Sequence, residues 1–211
     1  MIENILFDLG GVLLTIDVNL TTEAFTRLGW QEASTKSVSN GGHSVFENLE
    51  TGKDNPGQFR ENIRKALPGK VTDEEIDLAW NAMLVDFPSH ILEYVESLKP
   101  RYKLYLLSNT NELHVKRFRQ IFYLKFGFDF DNLFVKAYFS NEIGFRKPDA
   151  RAWVSVLNDA SIRPEETLFV DDLKINTEAA ELLGIKVLHI EADKLMDYLP
   201  EYLKGQIGLT L

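Results

Sequence analysis

The chain has no cysteine among its 211 residues. That excludes disulfide staples, a thiolate nucleophile and any zinc centre built on cysteine, and it fits a reducing, cytoplasmic setting. Positive charge is also scarce: 23 Lys and Arg stand against 32 Asp and Glu, a net charge of -9. A nucleic-acid surface needs clustered Lys and Arg to neutralise phosphates. No basic stripe interleaved with aromatics occurs here, so nucleic acid is not an expected partner. Long hydrophobic runs are missing too. No stretch approaches the roughly 20 apolar residues of a membrane-crossing helix, and Met1–Asn4 offers no positively charged start of a secretion signal. A cytoplasmic protein without a membrane partner is the expectation. The four histidines, His43, His90, His114 and His189, show no ligand spacing and read as surface or packing residues.

What is present is an ordinary globular share of hydrophobic residues, 45%, enough for a proper core. Two textures alternate along the chain. From about Asp17 to Pro88 the pattern is helical only. Leu20, Ala24, Phe25 and Leu28 share one helical face, and Phe59, Ile63, Ala66 and Leu67 another. Asn55-Pro56 reads as a helix start, with proline at the first helical position. Thr72 with Glu75 reads as a capping box before Ile76, Ala79, Trp80 and Met83.

Outside that segment, short apolar strands alternate with helices. Ile5–Phe7, Leu104–Leu107, Val135–Phe139, Thr167–Val170 and Ile185–Leu188 read as buried strands. Such runs separated by helices predict a doubly wound α/β core around a parallel sheet. The expected organisation is a core of residues 1–15 and 89–211 with a helical cap inserted at 16–88. The aromatic stretch from Phe118 to Phe134 reads as core and loop packing.

Polar groups stand at four strand ends. Asp8 follows the first strand and precedes Leu9-Gly10-Gly11. Ser108-Asn109-Thr110 follows the second. Gly144-Phe145-Arg146-Lys147-Pro148-Asp149 precedes the helix of Trp153, and Asp171-Asp172 follows Phe169-Val170. In a parallel sheet these ends share one edge, the edge where open α/β proteins hold ligands. A carboxylate there can be a metal ligand, a base or a nucleophile. Converging carboxylates repel and raise their own pKa values, and a divalent cation removes the conflict. Oxygen ligands without Cys or His suit Mg²⁺. Lys147 and the Ser108 hydroxyl would then meet phosphoryl oxygens.

In chain order, Phe7-Asp8-Leu9-Gly10-Gly11-Val12, Leu107-Ser108-Asn109, Lys147-Pro148-Asp149 and Val170-Asp171-Asp172 with Asn176 resemble the motifs of the haloacid dehalogenase superfamily of phosphohydrolases. The resemblance covers nearly the whole chain. It implies an aspartyl-phosphate on Asp8, with Mg²⁺ held by Asp8, the Gly10 carbonyl, Asp172 and, behind it, Asp171. It implies that Ser108, Asn109 and Gly11 meet the phosphoryl group and that Lys147 neutralises charge. The substrate would be a small phosphorylated metabolite, the protein a monomer or homodimer. The opening Asp-Leu-Gly-Gly, with Leu-Ser-Asn-Thr-Asn, resembles a bacterial sugar-phosphatase branch that includes glucose-1-phosphatases.

The sequence departs from that pattern at one position. Most phosphatases of the superfamily have a second Asp two residues after the nucleophile, as acid and base. Here it is Gly10, a loss that typically costs about 10²–10⁴-fold in rate. Asp17, Glu47 and Glu50 are candidate replacements. The alternative is a low-turnover or non-catalytic module that binds phosphate ligands or protein. The intact Asp8, Lys147 and Asp171-Asp172 set favours an enzyme. A dehalogenase reading is weaker, because those relatives usually lack the acidic pair. A Schiff base on Lys53 is weaker still, because a lysine in a polar turn is usually solvated.

Overall fold

In the computed structural model, which describes residues 1–31 and 44–207, five parallel strands form the central sheet in the order β5-β4-β1-β6-β7. They are β1 (Asn4–Phe7), β4 (Lys103–Ser108), β5 (Lys136–Phe139), β6 (Thr167–Asp171) and β7 (Lys186–His189). The register pairs Phe7 with Leu106 on one side and with Val170 on the other. The expected doubly wound α/β core is therefore present, with strand ends shifted by one residue at most. His43 lies outside the described residues.

The alternation of side chains across the pleat sorts the sheet's two faces. Ile5, Phe7, Leu104, Leu106, Leu168 and Val170 pack on one face. They meet helices α5 (Ser89–Leu98), α6 (Glu112–Phe126) and α10 (Leu195–Ile207). Leu6, Tyr105, Leu107 and Phe169 point the other way, against Trp153 and Val156 of α8 (Ala150–Ala160) and Ala180 of α9 (Lys174–Glu181). The aromatic stretch after Phe118 does pack in the core: Phe118, Phe122 and Phe130 meet edge to face at 5.1–5.3 Å.

The helical stretch between β1 and α5 gathers a second apolar cluster, which Leu113 of α6 joins. Helices α1 (Val18–Arg27), α2 (Ser44–Glu50), α3 (Pro56–Ala66) and α4 (Asp73–Asn81) bury Phe25, Trp30, Phe46, Phe59, Ile63, Ile76 and Trp80 together. Both expected helix starts are built as capping boxes, Asn55 with Gln58 and Thr72 with Glu75.

Two expectations for this segment need correction. It is not helical throughout: β3 (Leu84–Asp86) pairs antiparallel with β2 (Thr15–Ile16), matching Thr15 with Asp86 and Ile16 with Leu84. Strands of two and three residues are too short to carry a period, and Val85 is exposed. The pair brings together the two ends of the helical stretch between them. The buried face of α1 is also different, with Leu20 exposed and Thr21 buried. The Thr21 hydroxyl donates to the Trp80 carbonyl at 3.0 Å and accepts from the Met83 N–H at 3.0 Å, so a polar side chain ties α1 to the end of α4.

The insertion meets the core through stacked rings. Trp80 lies on His114 of α6 with centroids 4.5 Å apart. The Asn111 side chain caps α6 and accepts from both His114 N–H (3.1 Å) and Trp80 Nε1–H (3.3 Å). His114 Nε2 sits 3.1 Å from the Trp80 carbonyl, which fixes the tautomer with the proton on Nε2. Burial pushes the His114 imidazole down to about 4.

This sign gives a test. A histidine kept neutral by the fold stabilises fully above pH 6.5 and loses that stabilisation as pH falls toward 4. The expected loss is about 3 kcal/mol, from about 1.4 kcal/mol per pKa unit. His114→Gln removes the titration. Denaturant unfolding of both proteins from pH 7 to pH 4 should show the wild type weakening more steeply; parallel curves would mean His114 does not titrate this way.

Candidate active site

The site is built at the carboxyl edge of the sheet because four loops leave the strands there. Asp8 follows Phe7 at the centre, its N–H donating to the Val170 carbonyl at 2.9 Å. Asp171 ends the neighbouring strand β6 and Ser108 ends β4 on the other side. Lys147 comes from the loop before α8, whose N-cap is Asp149.

Lys147 is buried with its ammonium between two acids, 2.8 Å from Asp8 Oδ1 and 2.7 Å from Asp171 Oδ2. Asp8, Asp171 and Asp172 bring one carboxylate oxygen each within 4.8 Å of the others. One ammonium against three carboxylates leaves an excess of negative charge in a largely buried place. Burial therefore pushes the Asp8 carboxyl up to about 7; Lys147 opposes this, and the Asp171 and Asp172 charges add to it. Burial, then Asp171, pushes Asp172 up to about 6.

The two neighbouring acids differ in how far they are committed. Asp171 is fully buried and accepts from the Leu173 N–H (2.8 Å), from Asn176 Nδ2 at both oxygens (3.0 Å) and from Lys147 Nζ. Asp172 is half-buried and takes none of these donors. Its carboxylate lies against Gly11: a Cβ there would be 2.5 Å from Asp172 Oδ2.

Asn109 and Gly11, expected to meet the substrate, have structural bonds. The Asn109 side chain holds the Lys147 backbone from both directions, donating to its carbonyl and accepting from its N–H, each at 2.8 Å. Gly11 donates its N–H to the Leu14 carbonyl (2.9 Å) and its carbonyl accepts from the Asp193 N–H (2.7 Å). Gly11 also adopts a positive φ of 73°, a conformation glycine reaches without strain. At Gly10 a Cβ would be 3.1 Å from Ile16 Cδ1.

The model of the haloacid dehalogenase-like hydrolase family matches residues 2–184. The chain belongs to this family. A D-ribitol-5-phosphate phosphatase from Bacteroides thetaiotaomicron is 31% identical over 191 residues, which cover 90% of this chain and 93% of the relative. A solved enzyme of the family from the same organism, in complex with magnesium and inorganic phosphate, is 36% identical with a TM-score of 0.84, covering 92% of this chain and 96% of its own. A solved HAD-like hydrolase from Porphyromonas gingivalis is 29% identical with a TM-score of 0.88 over 98% of both chains. This haloacid dehalogenase-like protein is thus a hydrolase. Among the described residues no helix is long and apolar enough to cross a membrane.

Beside Lys147 this hydrolase has a cleft of about 710 Å³. Core residues Asn109, Arg146, Lys147 and Asn176 line it, as do Glu47, Thr51 and Lys53 from the insertion. Arg146 belongs to the polar loop Gly144–Asp149 in the sequence, without a role of its own there. Its one signal there is its place before Lys147, which is weak. Of the candidate acid/base replacements, Asp17 caps α1 by accepting from the Asn19 N–H, Glu50 faces Arg146 at 3.2 Å, and Glu47 lines the cleft.

Proposed function

We propose that this protein hydrolyses a small phosphomonoester, of the sugar- or alditol-phosphate kind, with Asp8 as nucleophile and Mg²⁺ as cofactor. The observation that carries the reading is Lys147 clamped between Asp8 and Asp171 with Asp172 alongside. An acid at the centre of a ligand-binding sheet edge is paired with a cation yet still leaves negative charge unbalanced. The donor set fits Mg²⁺: oxygen ligands only, and few carboxylates. Asp8, the Gly10 carbonyl and Asp172 would hold it, because the oxygens of Asp171 already accept from Lys147, Asn176 and Leu173. The ion would supply charge neutralisation at the phosphoryl oxygens. The magnesium and phosphate in the solved relative support the choice.

In this reading an Asp8 oxygen attacks phosphorus, the ester P–O bond breaks and the alcohol leaves. Water then cleaves the aspartyl-phosphate, releasing phosphate and restoring the carboxylate. Lys147 holds Asp8 ionised and oriented for attack. The Ser108 hydroxyl and the Asn109 backbone N–H bind the transferring group, since the Asn109 side chain is committed to Lys147. Residue 10 carries no proton for the leaving alcohol. Glu47, the candidate carboxylate that lines the cleft, is the best-placed replacement in this scheme. The helices of 16–88 act as a cap that shields the reacting group from bulk water.

The test is phosphate release from sugar phosphates, alditol phosphates, nucleotides and an aryl phosphate, in Mg²⁺ and in EDTA. We expect release that requires Mg²⁺ and ranks the alditol and sugar phosphates above nucleotides. Equal rates in EDTA would remove the metal from the scheme, and no release at all would favour a binding module.

Gly11 gives a sharper check on the metal ligands. Gly11→Ala places a methyl against the Asp172 carboxylate and strains the backbone as well. Displacing a ligand's support typically costs about 10–100-fold in metal affinity or activity. The Mg²⁺ concentration for half-maximal rate should rise by that order; an unchanged value would separate Asp172 from metal binding.

A further inference from the structure

Strands β4 and β5 end side by side, with Ser108 paired to Phe139. The segments that leave them are tied together twice. Just past the paired ends, the buried Ser140 opens the short helix α7 (Ser140–Ile143). Its hydroxyl accepts from the Thr110 N–H at 2.9 Å and donates to the Thr110 carbonyl at 3.0 Å. Gly144 ends α7 with a φ of 78°, and the chain returns to the site at Lys147. There the second tie closes, with the Asn109 side chain donating to the Lys147 carbonyl and accepting from its N–H, each at 2.8 Å. Two side chains thus fasten both ends of the stretch 140–147 to Asn109 and Thr110, beside Ser108.

This arrangement bears on the lysine. A lysine stem is long and flexible, so its ammonium stands where the start of its backbone and the walls around the stem put it. Lys147 is buried, and its ammonium lies within 2.8 Å of Asp8 and Asp171 at once. The Asn109 side chain anchors that backbone, and Ser140 anchors the stretch that delivers it. Ser140 bonds to Thr110 and to none of the charged groups. A displacement of about 1 Å can cost about 100-fold in rate, so such ties have leverage on the chemistry without touching a substrate.

We propose that Asn109, through its side chain, and Ser140 are positioning residues that hold the Lys147 ammonium at Asp8 and in register with the Ser108 pocket. The catalytic consequence rests on the phosphomonoesterase reading; the placement of the lysine does not.

The experiment reads both. Ser140→Ala removes the two bonds to Thr110, and Asn109→Ala removes the two to Lys147. Asn109→Asp keeps the acceptor for the Lys147 N–H, should behave between wild type and Asn109→Ala, and serves if an alanine variant does not fold. The first readout is acylation of lysines by an amine reagent in EDTA, followed by mass spectrometry, with the exposed Lys53 as internal control. We expect Lys147 to resist in the wild type and to react at least about 10-fold faster, relative to Lys53, in both alanine variants. The second readout is kinetic. With Mg²⁺ and ribitol 5-phosphate, kcat should fall about 10- to 100-fold with KM little changed. Inhibition by vanadate, whose five-coordinate adduct imitates the transition state, should weaken more than inhibition by phosphate. A smaller folded fraction would lower the rate without altering that ratio.

Faster labelling of Lys147 supports the clamp even if the wild type hydrolyses no ester, in which case the phosphatase reading alone fails. Unchanged labelling beside measurable hydrolysis overturns the clamp and leaves the phosphatase. Faster labelling with an unchanged kcat overturns the positioning role. Unchanged labelling together with no hydrolysis overturns both readings.

Discussion

Asp8→Asn should remove turnover and, in EDTA, make the protein more stable. The loss follows from chemistry. A carboxamide oxygen is a poor nucleophile toward phosphorus, and loss of a nucleophile from a catalytic unit can cost on the order of 10⁶-fold. We expect a drop of at least about 10⁴-fold in kcat for ribitol 5-phosphate. The gain in stability follows from electrostatics. Asp8 sits with Asp171 and Asp172 in a buried cluster that one lysine does not neutralise, and its carboxyl is pushed up to about 7, mostly by burial. At pH 8 the folded protein must therefore hold a charge the fold opposes. The isosteric amide relieves that at about 1.4 kcal/mol per unit of pKa shift, while Lys147 retains Asp171. Denaturant midpoints in EDTA at pH 8 should rise for Asp8→Asn even as activity vanishes. Activity within tenfold of wild type would remove Asp8 as nucleophile. An unchanged or lower midpoint would mean that the Lys147 pair outweighs the repulsion.

The gathering of polar residues at the strand ends was legible in the sequence because each motif is local: an apolar strand, then a polar residue at the edge. Asp8, Ser108, Lys147 and Asp171 reach one edge because parallel strands all end there, and the alternation of strands with helices announced the parallel sheet. The second layer of the site was not legible. Asn109 reads as a ligand-facing amide until the fold brings Lys147's backbone within 2.8 Å of it. Asn176 is one turn into a helix, and only the path of β6 shows that it spans both oxygens of Asp171. The β2–β3 pair is too short to carry a period, and Thr21 looks like a surface hydroxyl until Trp80 and Met83 close over it. Glu50 and Arg146 belong to different textures of the chain, so nothing local links them. What sequence conveys well is periodicity and local chemistry; what it conveys poorly is which polar groups the tertiary fold leaves facing one another.

The same contrast sets the expected result for Lys147→Met. Asp8→Asn takes a charge out of an overcharged pocket; Lys147→Met takes out the cation that makes the pocket tolerable. Lys147 is buried and within 2.8 Å of two carboxylates. Removing one partner of a buried ion pair typically costs about 3–5 kcal/mol, because the remaining charge is left without compensation. Here two carboxylates are left, so the expected loss in EDTA lies at the upper end of that range and is larger at pH 8 than at pH 5, where protonation can relieve Asp8. Mg²⁺ should restore part of the stability, since a divalent cation answers the same excess charge. It should not restore turnover, because the phosphoryl group would still lack the lysine. Lys147→Arg should not rescue either property: the guanidinium is a wide planar fork where the site fits a compact ammonium. The double variant Asp8→Asn with Lys147→Met should be more stable than Lys147→Met alone. That ordering follows if the stranded carboxylates, and not the lost packing of the lysine stem, cause the damage. Equal unfolding midpoints for the double variant and Lys147→Met would assign the loss to packing.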